Sequence, residues 1–547
     1  MRSKAVLWTT MLAVPVLLLG AAELILRAAG YGAAVEPLFV PSPAQAGYLQ
    51  ANPKAVTRLF ADPAQAPAVS IETVYFRANK RPGALRVFVQ GESSAAGFPY
   101  GLGASLAGVL DQRLKRAYPT REIEVVSTAM SAVNTYALLD FADEIIAHAP
   151  DVVVIYVGHN EYLGILGVGS SFRGAASPRV TRAALALRDV RLYQAIGAIA
   201  RKLVPKPPAI SANASDTLMA QVAAEREIAF GSAMYRAGLD QFDHNLRKLL
   251  ARYQAARIPV FVGTLVSNER DQPPFVSLAS EGEQSARGYF DKGRAFETSR
   301  DYRAANAAYG AARDRDALRF RAPAAFNAAI RAAASTHGAS LVDVEARLRG
   351  ASPEGMLGAS LLLEHVHPNL EGYFLLADAF FDEIIQSGLA GVPVAVIPDE
   401  TARLEMPVSA VDKWLGEYKL LKIRSAWPFV SESRPPALPP AQTPGEQLAL
   451  RVYQGALAWP EAQDQLRAVY RLEGNTIEYA RVSTILADAF PFIASLQLET
   501  ADALAALART ADALRYARRA LESEPQNALA IDRIRRFETA LARGGGA

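Results

Sequence analysis

The longest apolar run of the chain comes at its start. Between Lys4 and Glu23, residues 5–22 carry no charge. About 20 apolar residues cross a bilayer, whereas the core of a cleaved signal peptide usually has roughly 7 to 15. The run has no polar face, which argues against a helix buried at the edge of a water-facing unit. The expectation is an uncleaved membrane anchor over 1–30. Arg2 and Lys4 would keep the extreme N-terminus in the cytoplasm and place the remainder outside it, in a periplasmic or extracellular space. Gly20, Ala21 and Ala22 leave a cleaved, secreted form as the alternative.

Beyond the anchor, 31–84 is rich in Pro and Ala with few periodic runs and reads as a stalk. The pattern then changes. Residues 86–90 (RVFVQ) form a short β-rich run, 104–118 has helical spacing, 123–128 (IEVVST) reads as a strand and 136–148 as a helix. Residues 151–157 (DVVVIYV) are apolar almost throughout. Strands alternating with helices, one strand apolar on both faces, predict an α/β unit built on a covered parallel sheet. A helical stretch over 170–256 precedes a fourth strand at 258–265; a fifth at 340–344 and a closing helix at 373–385 complete a unit spanning 85–388. A helical insertion around 280–330 interrupts it, and its segment 301–312 resembles the second half of a tetratricopeptide helix pair. Residues 389–445, with the Pro-rich 435–440, read as a linker. Residues 446–543 are helical in pattern, and 503–527 (ALAALARTADALRYARRALESEPQN) resembles a tetratricopeptide unit, with a plain helical bundle as the alternative.

Composition narrows the chemistry. The 58 basic and 55 acidic residues nearly cancel, to a net charge of +3, which gives no nucleic-acid footprint. With no cysteine, disulfides, thiolate zinc sites and cysteine nucleophiles are excluded. Any imidazole base must come from His148, His159, His244, His337, His365 or His367.

Three segments at strand ends or before the last helix can carry chemistry, since ligand sites in open parallel sheets form at such edges. The first is Gly91-Glu92-Ser93-Ser94, which alone fits either a nucleophile or a helix N-cap. The second is Gly158-His159-Asn160-Glu161, where Asn160 can aim an amide at a developing oxyanion or simply serve the turn. The third is Glu364-His365-Val366-His367-Pro368-Asn369, where a carboxylate three residues before a histidine can orient the imidazole and fix its tautomer.

Taken together, these segments resemble the SGNH, or GDSL-type, hydrolase family over roughly 85–388. The resemblance implies a flavodoxin-like parallel sheet and makes Ser93 the nucleophile, in GESS where the family usually has GDSL. It makes His367 the base and Glu364 its orienting acid, where the family usually has Asp. Asn160 would be the side-chain oxyanion donor, in GHNE where the family often has GxND, with backbone N–H groups of Ser93 and Ala132 beside it. The family has glycine where Ala132 stands, and a positive φ there would disfavour alanine. The implied intermediate is an acyl-enzyme on Ser93, released to water by an esterase or to another hydroxyl by an O-acyltransferase. The substrate would be an ester on a glycan, a lipid or a small molecule, and no cofactor or metal is required.

Other readings compete. An α/β-hydrolase needs Gly-x-Ser-x-Gly, but position 95 is Ala. A metal on Glu364, His365 and His367 would need a further ligand from elsewhere. His365 reads as a packing residue beside the site and His159 as a flanking loop residue. Arg319 and Arg321 could meet an anionic substrate but read as solvated or paired surface residues. Finally, a non-catalytic envelope scaffold could use the same fold, with the helical repeats binding a protein partner.

Overall fold

The computed structural model describes residues 2–60, 63–172, 178–203 and 217–544. The N-terminal apolar run winds into one 27-residue helix, α1 (Arg2–Ala28). Among the described residues no helix is long and apolar enough to cross a membrane. The expected span at 5–22 lies partly outside them, since described side chains begin in this segment at Met11.

The segment read as a stalk is instead folded. It holds a small antiparallel sheet of β1 (Phe39–Pro41), β2 (Tyr48–Ala51) and β3 (Tyr75–Arg77). Phe39 and Phe76 bury and meet edge to face at 5.0 Å, and each lies 5.8 Å from Phe88 of the main core. Strands of three or four residues are too short for alternation to register in a sequence window, so this layer reads as irregular from sequence.

The main sheet is parallel: β4 (Leu85–Gly91), β5 (Ile123–Ser127), β6 (Val152–Tyr156), β7 (Val260–Gly263) and β8 (Ser340–Val342), in spatial order β5-β4-β6-β7-β8. That is the 2-1-3-4-5 order of a flavodoxin-like sheet. Every residue of β4 and β6 is buried, as expected for inner strands covered on both faces. A short helix, α2 (Ser93–Ala96), follows β4 directly. Two helix groups cover the sheet: α3 (Leu106–Ala117) with the closing helix (Leu370–Gln386), and α4 (Thr135–Ala147) with two later helices, Ala233–Ala255 and Ala324–His337. Between α4 and these come α5 (Pro178–Leu187) and α6 (Arg191–Leu203). The insertion before the last strand folds as a helical hairpin, Ala286–Thr298 against Tyr302–Arg315.

The stretch read as a linker also carries packed helices, Asp399–Leu404 and Ala410–Arg424, the second started by a Ser409/Asp412 capping box. From Pro444–Tyr453 to Ala528–Gly544 the chain is a large helical C-terminal region. Ion pairs join it to both sheets: Lys115 to Asp488 at 2.9 Å and Arg116 to Asp512 at 2.5 Å on the side of the main sheet, and Arg77 of β3 to Glu522 at 2.7 Å.

Candidate active site

β4 ends at Gly91, where no side chain fits: a Cβ would stand 2.4 Å from Ala95 Cβ and 2.5 Å from the Tyr156 carbonyl. The chain turns at once into α2, and Ser93 becomes its first residue, at the C-terminal edge of the sheet. Glu92 occupies the N-cap position without capping with its side chain. The carboxylate reaches instead into the loop after β6, accepting from Gly158 N at 2.6 Å and Asn160 N at 3.1 Å. Burial pushes Glu92 well above the usual carboxylate range, against the pull of these amides. Gly158 has φ 154° and no room for a Cβ, which would meet Leu265 at 2.4 Å.

The turn after β5 is drawn beside Gly91 by a bond from Met130 N to Gly91 O, 3.2 Å. Ala132 in this turn has φ 61°, the left-handed conformation that glycine adopts more easily. The chain thus tolerates alanine where the resemblance has glycine, at a backbone cost of about 1 kcal/mol. Gly164 joins the two loops: its Cβ, if present, would be 2.6 Å from Ala132 O and 2.7 Å from Asn160 Cβ. The side-chain amide of Asn160 takes no partner among the described residues and is half-buried. Beneath it, Glu161 accepts from Thr135 N, Thr135 Oγ1 and Gln241 Nε2 at 2.7–3.1 Å, and burial pushes it up to about 7.

The third segment is a tight loop, closed by Leu363 N to His367 O at 2.8 Å and stopped by Asn369, which caps the closing helix through Gly372 N at 2.9 Å. His367 Nε2 lies 2.8 Å from Ser93 Oγ, across 274 residues of sequence. Its Nδ1 meets the Glu364 carboxylate, and so does Nδ1 of His365. The backbone N–H groups of His365 and His367 add bonds of 2.6 and 3.0 Å to the same carboxylate. Burial alone would raise Glu364, but its two imidazoles hold it well below the ordinary carboxylate range. With Nδ1–H donated to Glu364, His367 is left with Nε2 as the acceptor for the Ser93 hydroxyl, the tautomer a general base needs.

Ligand atoms of Glu364, His365 and His367 lie within 4.8 Å of one another, so the three could hold a cation in composition. Nδ1 of His367 is hydrogen-bonded to the carboxylate and Nδ1 of His365 lies against it, however, so a cation would have to displace both imidazoles from the carboxylate.

The expectation for two arginines is corrected. Arg319 and Arg321 are neither solvated nor at the surface: they are 1% and 3% exposed. Arg321 pairs with Asp316 at 2.8 Å and donates to the Asn268 and Gln272 carbonyls, while Arg319 donates to Ile228 O and lies over Tyr235. They tie the insertion to the sheet unit, because a buried guanidinium must spend its donors on fixed acceptors. His159 does lie in the turn beside the site, and it is buried there: its Nδ1 accepts from Ala322 N at 3.2 Å, and burial pushes it down to about 3.

Several contributors carry no local signal. Phe98 lies 4.7 Å from the His367 ring. Phe275, Phe320 and Phe429 surround His365 at 5.6–5.9 Å, and Phe429 comes from beyond the sheet unit altogether. Only Glu92, acidic and adjacent to Ser93, could have been suspected from the sequence.

The profile of the GDSL-like Lipase/Acylhydrolase family matches residues 89–375, just over half the chain. Among solved structures, the chain is similar to an acetyl xylan esterase, AlAXEase, at 16% identity over 55% of this chain and 100% of that one, TM-score 0.30. A lipase/acylhydrolase from Enterococcus faecalis is 14% identical over 57% and 99%, TM-score 0.29. An extracellular lipase from Streptomyces rimosus is 13% identical over 55% and 98%, TM-score 0.24. No curated protein matches the chain. The chain belongs to the GDSL-like lipase/acylhydrolase family and is an ester-hydrolysing enzyme.

Proposed function

We propose that the protein hydrolyses its ester through an acyl-enzyme on Ser93. His367 Nε2 takes the Ser93 proton as Oγ attacks the carbonyl carbon, and the tetrahedral oxyanion is met by the Asn160 amide with the backbone N–H groups of Ser93 and Ala132. The imidazolium formed is stabilised by Glu364 and returns its proton to the departing alkoxide. Water, deprotonated in turn by His367, then releases the acid and restores Ser93. The observation that carries the reading is the 2.8 Å contact of Ser93 Oγ with an imidazole whose other nitrogen is held by a buried carboxylate.

A fluorophosphonate probe tests it directly. The wild-type protein is expected to label and Ser93→Ala not to. Equal labelling of both would remove Ser93 as the nucleophile, and no labelling of either would favour a non-catalytic scaffold. If a second hydroxyl replaced water as acceptor, the same site would be an O-acyltransferase, and added alcohol would then divert the acyl group from free acid to a new ester.

Two further parts of the reading concern placement. The uncharged run of α1 supports a membrane anchor that holds the enzyme outside the cytoplasm, and exposure of 45–70% for Val14, Val16, Leu17, Leu18, Leu24 and Ile25 agrees with it. The helical C-terminal region, tetratricopeptide-like at 503–527, would offer a protein partner its surface.

A further inference from the structure

The end of α1 is fastened to the start of α6. The Glu23 carboxylate accepts from Arg191 N at 3.0 Å and Leu192 N at 2.8 Å, the unsatisfied donors of the first turn of α6. Arg27 donates to Asp189 O at 2.9 Å, and Gln194 exchanges two bonds with the Ala33 backbone, at 3.1 and 2.9 Å. These contacts tie α6 to one level of α1, the point just after the uncharged run ends.

At that level the chain shows an apolar face. Leu192, Ile196 and Ile199 recur at helical spacing on α6; Ile196 is 57% exposed and Ile199 62%. Leu187, at the end of α5, is exposed too. Over 178–202 the sequence carries six Lys and Arg residues against one acid, Asp189. Exposed aliphatic side chains on a helix with cationic flanks are the pattern of a helix lying in the headgroup layer of an anionic bilayer.

The length of the uncharged run argues for the occupant. Residues 5–22, wound as helix, measure about 27 Å at 1.5 Å per residue, close to the roughly 30 Å of a bilayer's hydrocarbon. Glu23 and the start of α6 would therefore emerge at the outer headgroups. We propose that α6 lies on the bilayer surface, with Ile196 and Ile199 among the upper acyl chains of an anionic phospholipid leaflet, so that the enzyme meets the membrane at a second place besides α1. The inference rests on the anchor reading above.

The absence of cysteine makes the test clean. The full-length protein carrying Ile199→Cys is labelled with an environment-sensitive fluorophore and reconstituted into vesicles of phosphatidylcholine and phosphatidylglycerol, three to one, with or without doxyl-labelled lipid. Leu472→Cys, at an 89% exposed position of the C-terminal helices, is the control. Retained fluorophosphonate labelling of Ser93 shows that each labelled protein is folded. The expected result is co-flotation with the vesicles, with the label at position 199 quenched severalfold by the doxyl lipid and that at 472 unaffected. Co-flotation without quenching at 199 would overturn the inference and leave the anchor standing. Failure to float would overturn both.

Discussion

Glu92 offers the sharpest test of how the site is built, because its role is to hold a loop rather than to touch substrate. Its two oxygens accept from Gly158 N at 2.6 Å and Asn160 N at 3.1 Å in a fully buried setting. Glu92→Gln keeps the shape but turns one acceptor into an NH2 group that faces a backbone N–H. One hydrogen bond is lost and one buried amide is left without an acceptor, a cost of about 1–3 kcal/mol. The loop can relieve that cost by moving, and moving it displaces the Asn160 amide. Losing a single oxyanion donor costs about 10²- to 10³-fold in rate, so Asn160→Ala marks the floor. Glu92→Gln is expected to lower kcat/KM on a p-nitrophenyl ester by about 10- to 100-fold with Ser93 still open to fluorophosphonate. If Glu92 acts through Asn160, the double variant Glu92→Gln/Asn160→Ala falls no further than Asn160→Ala alone. Fully additive losses would refute the reasoning, as would full activity in Glu92→Gln.

Other expectations rest on the same geometry. Glu364 is in contact with two imidazoles, so His365→Leu removes one polar neighbour of the carboxylate and is expected to lower kcat about tenfold, with His365→Asn recovering most of it; equal losses in both would reduce His365 to packing. Glu161 is an acid raised from its ordinary 4.5 to about 7 by burial, so its contribution is present below pH 4.5 and lost as pH rises through 7. The window is worth about 3 kcal/mol, and urea midpoints between pH 4.5 and 7 should fall for the wild type and fall less steeply in Glu161→Gln, where buried Glu92 still titrates. Ala132 sits at φ 61°, so Ala132→Gly should keep activity and leave stability unchanged or up to about 1 kcal/mol higher, while Ala132→Val should lower the Tm. A cooler-melting Ala132→Gly would show that the strain is absent.

The sequence by itself determined the class of the sheet, because continuous apolar runs such as 151–157 bury only between two helical layers, and it determined the chemistry-bearing segments, because each lies within a few residues of a strand or helix end. The candidates for nucleophile, base, acid and side-chain oxyanion donor were legible since each sits in a local cluster of reactive side chains. Only tertiary structure decided the rest. The edge-to-face contact of Phe39 with Phe76, the burial of Arg319 and Arg321, and the ring of Phe275, Phe320 and Phe429 about His365 join positions from about 40 to more than 150 residues apart, and no window of local periodicity holds such pairs. The same is true of the site: Ser93 and His367 meet across 274 residues because parallel strands β4 to β8 bring the loops that follow them to one edge, where the loop after β7 holds the His367 segment through Asn268 N to His365 O at 2.9 Å.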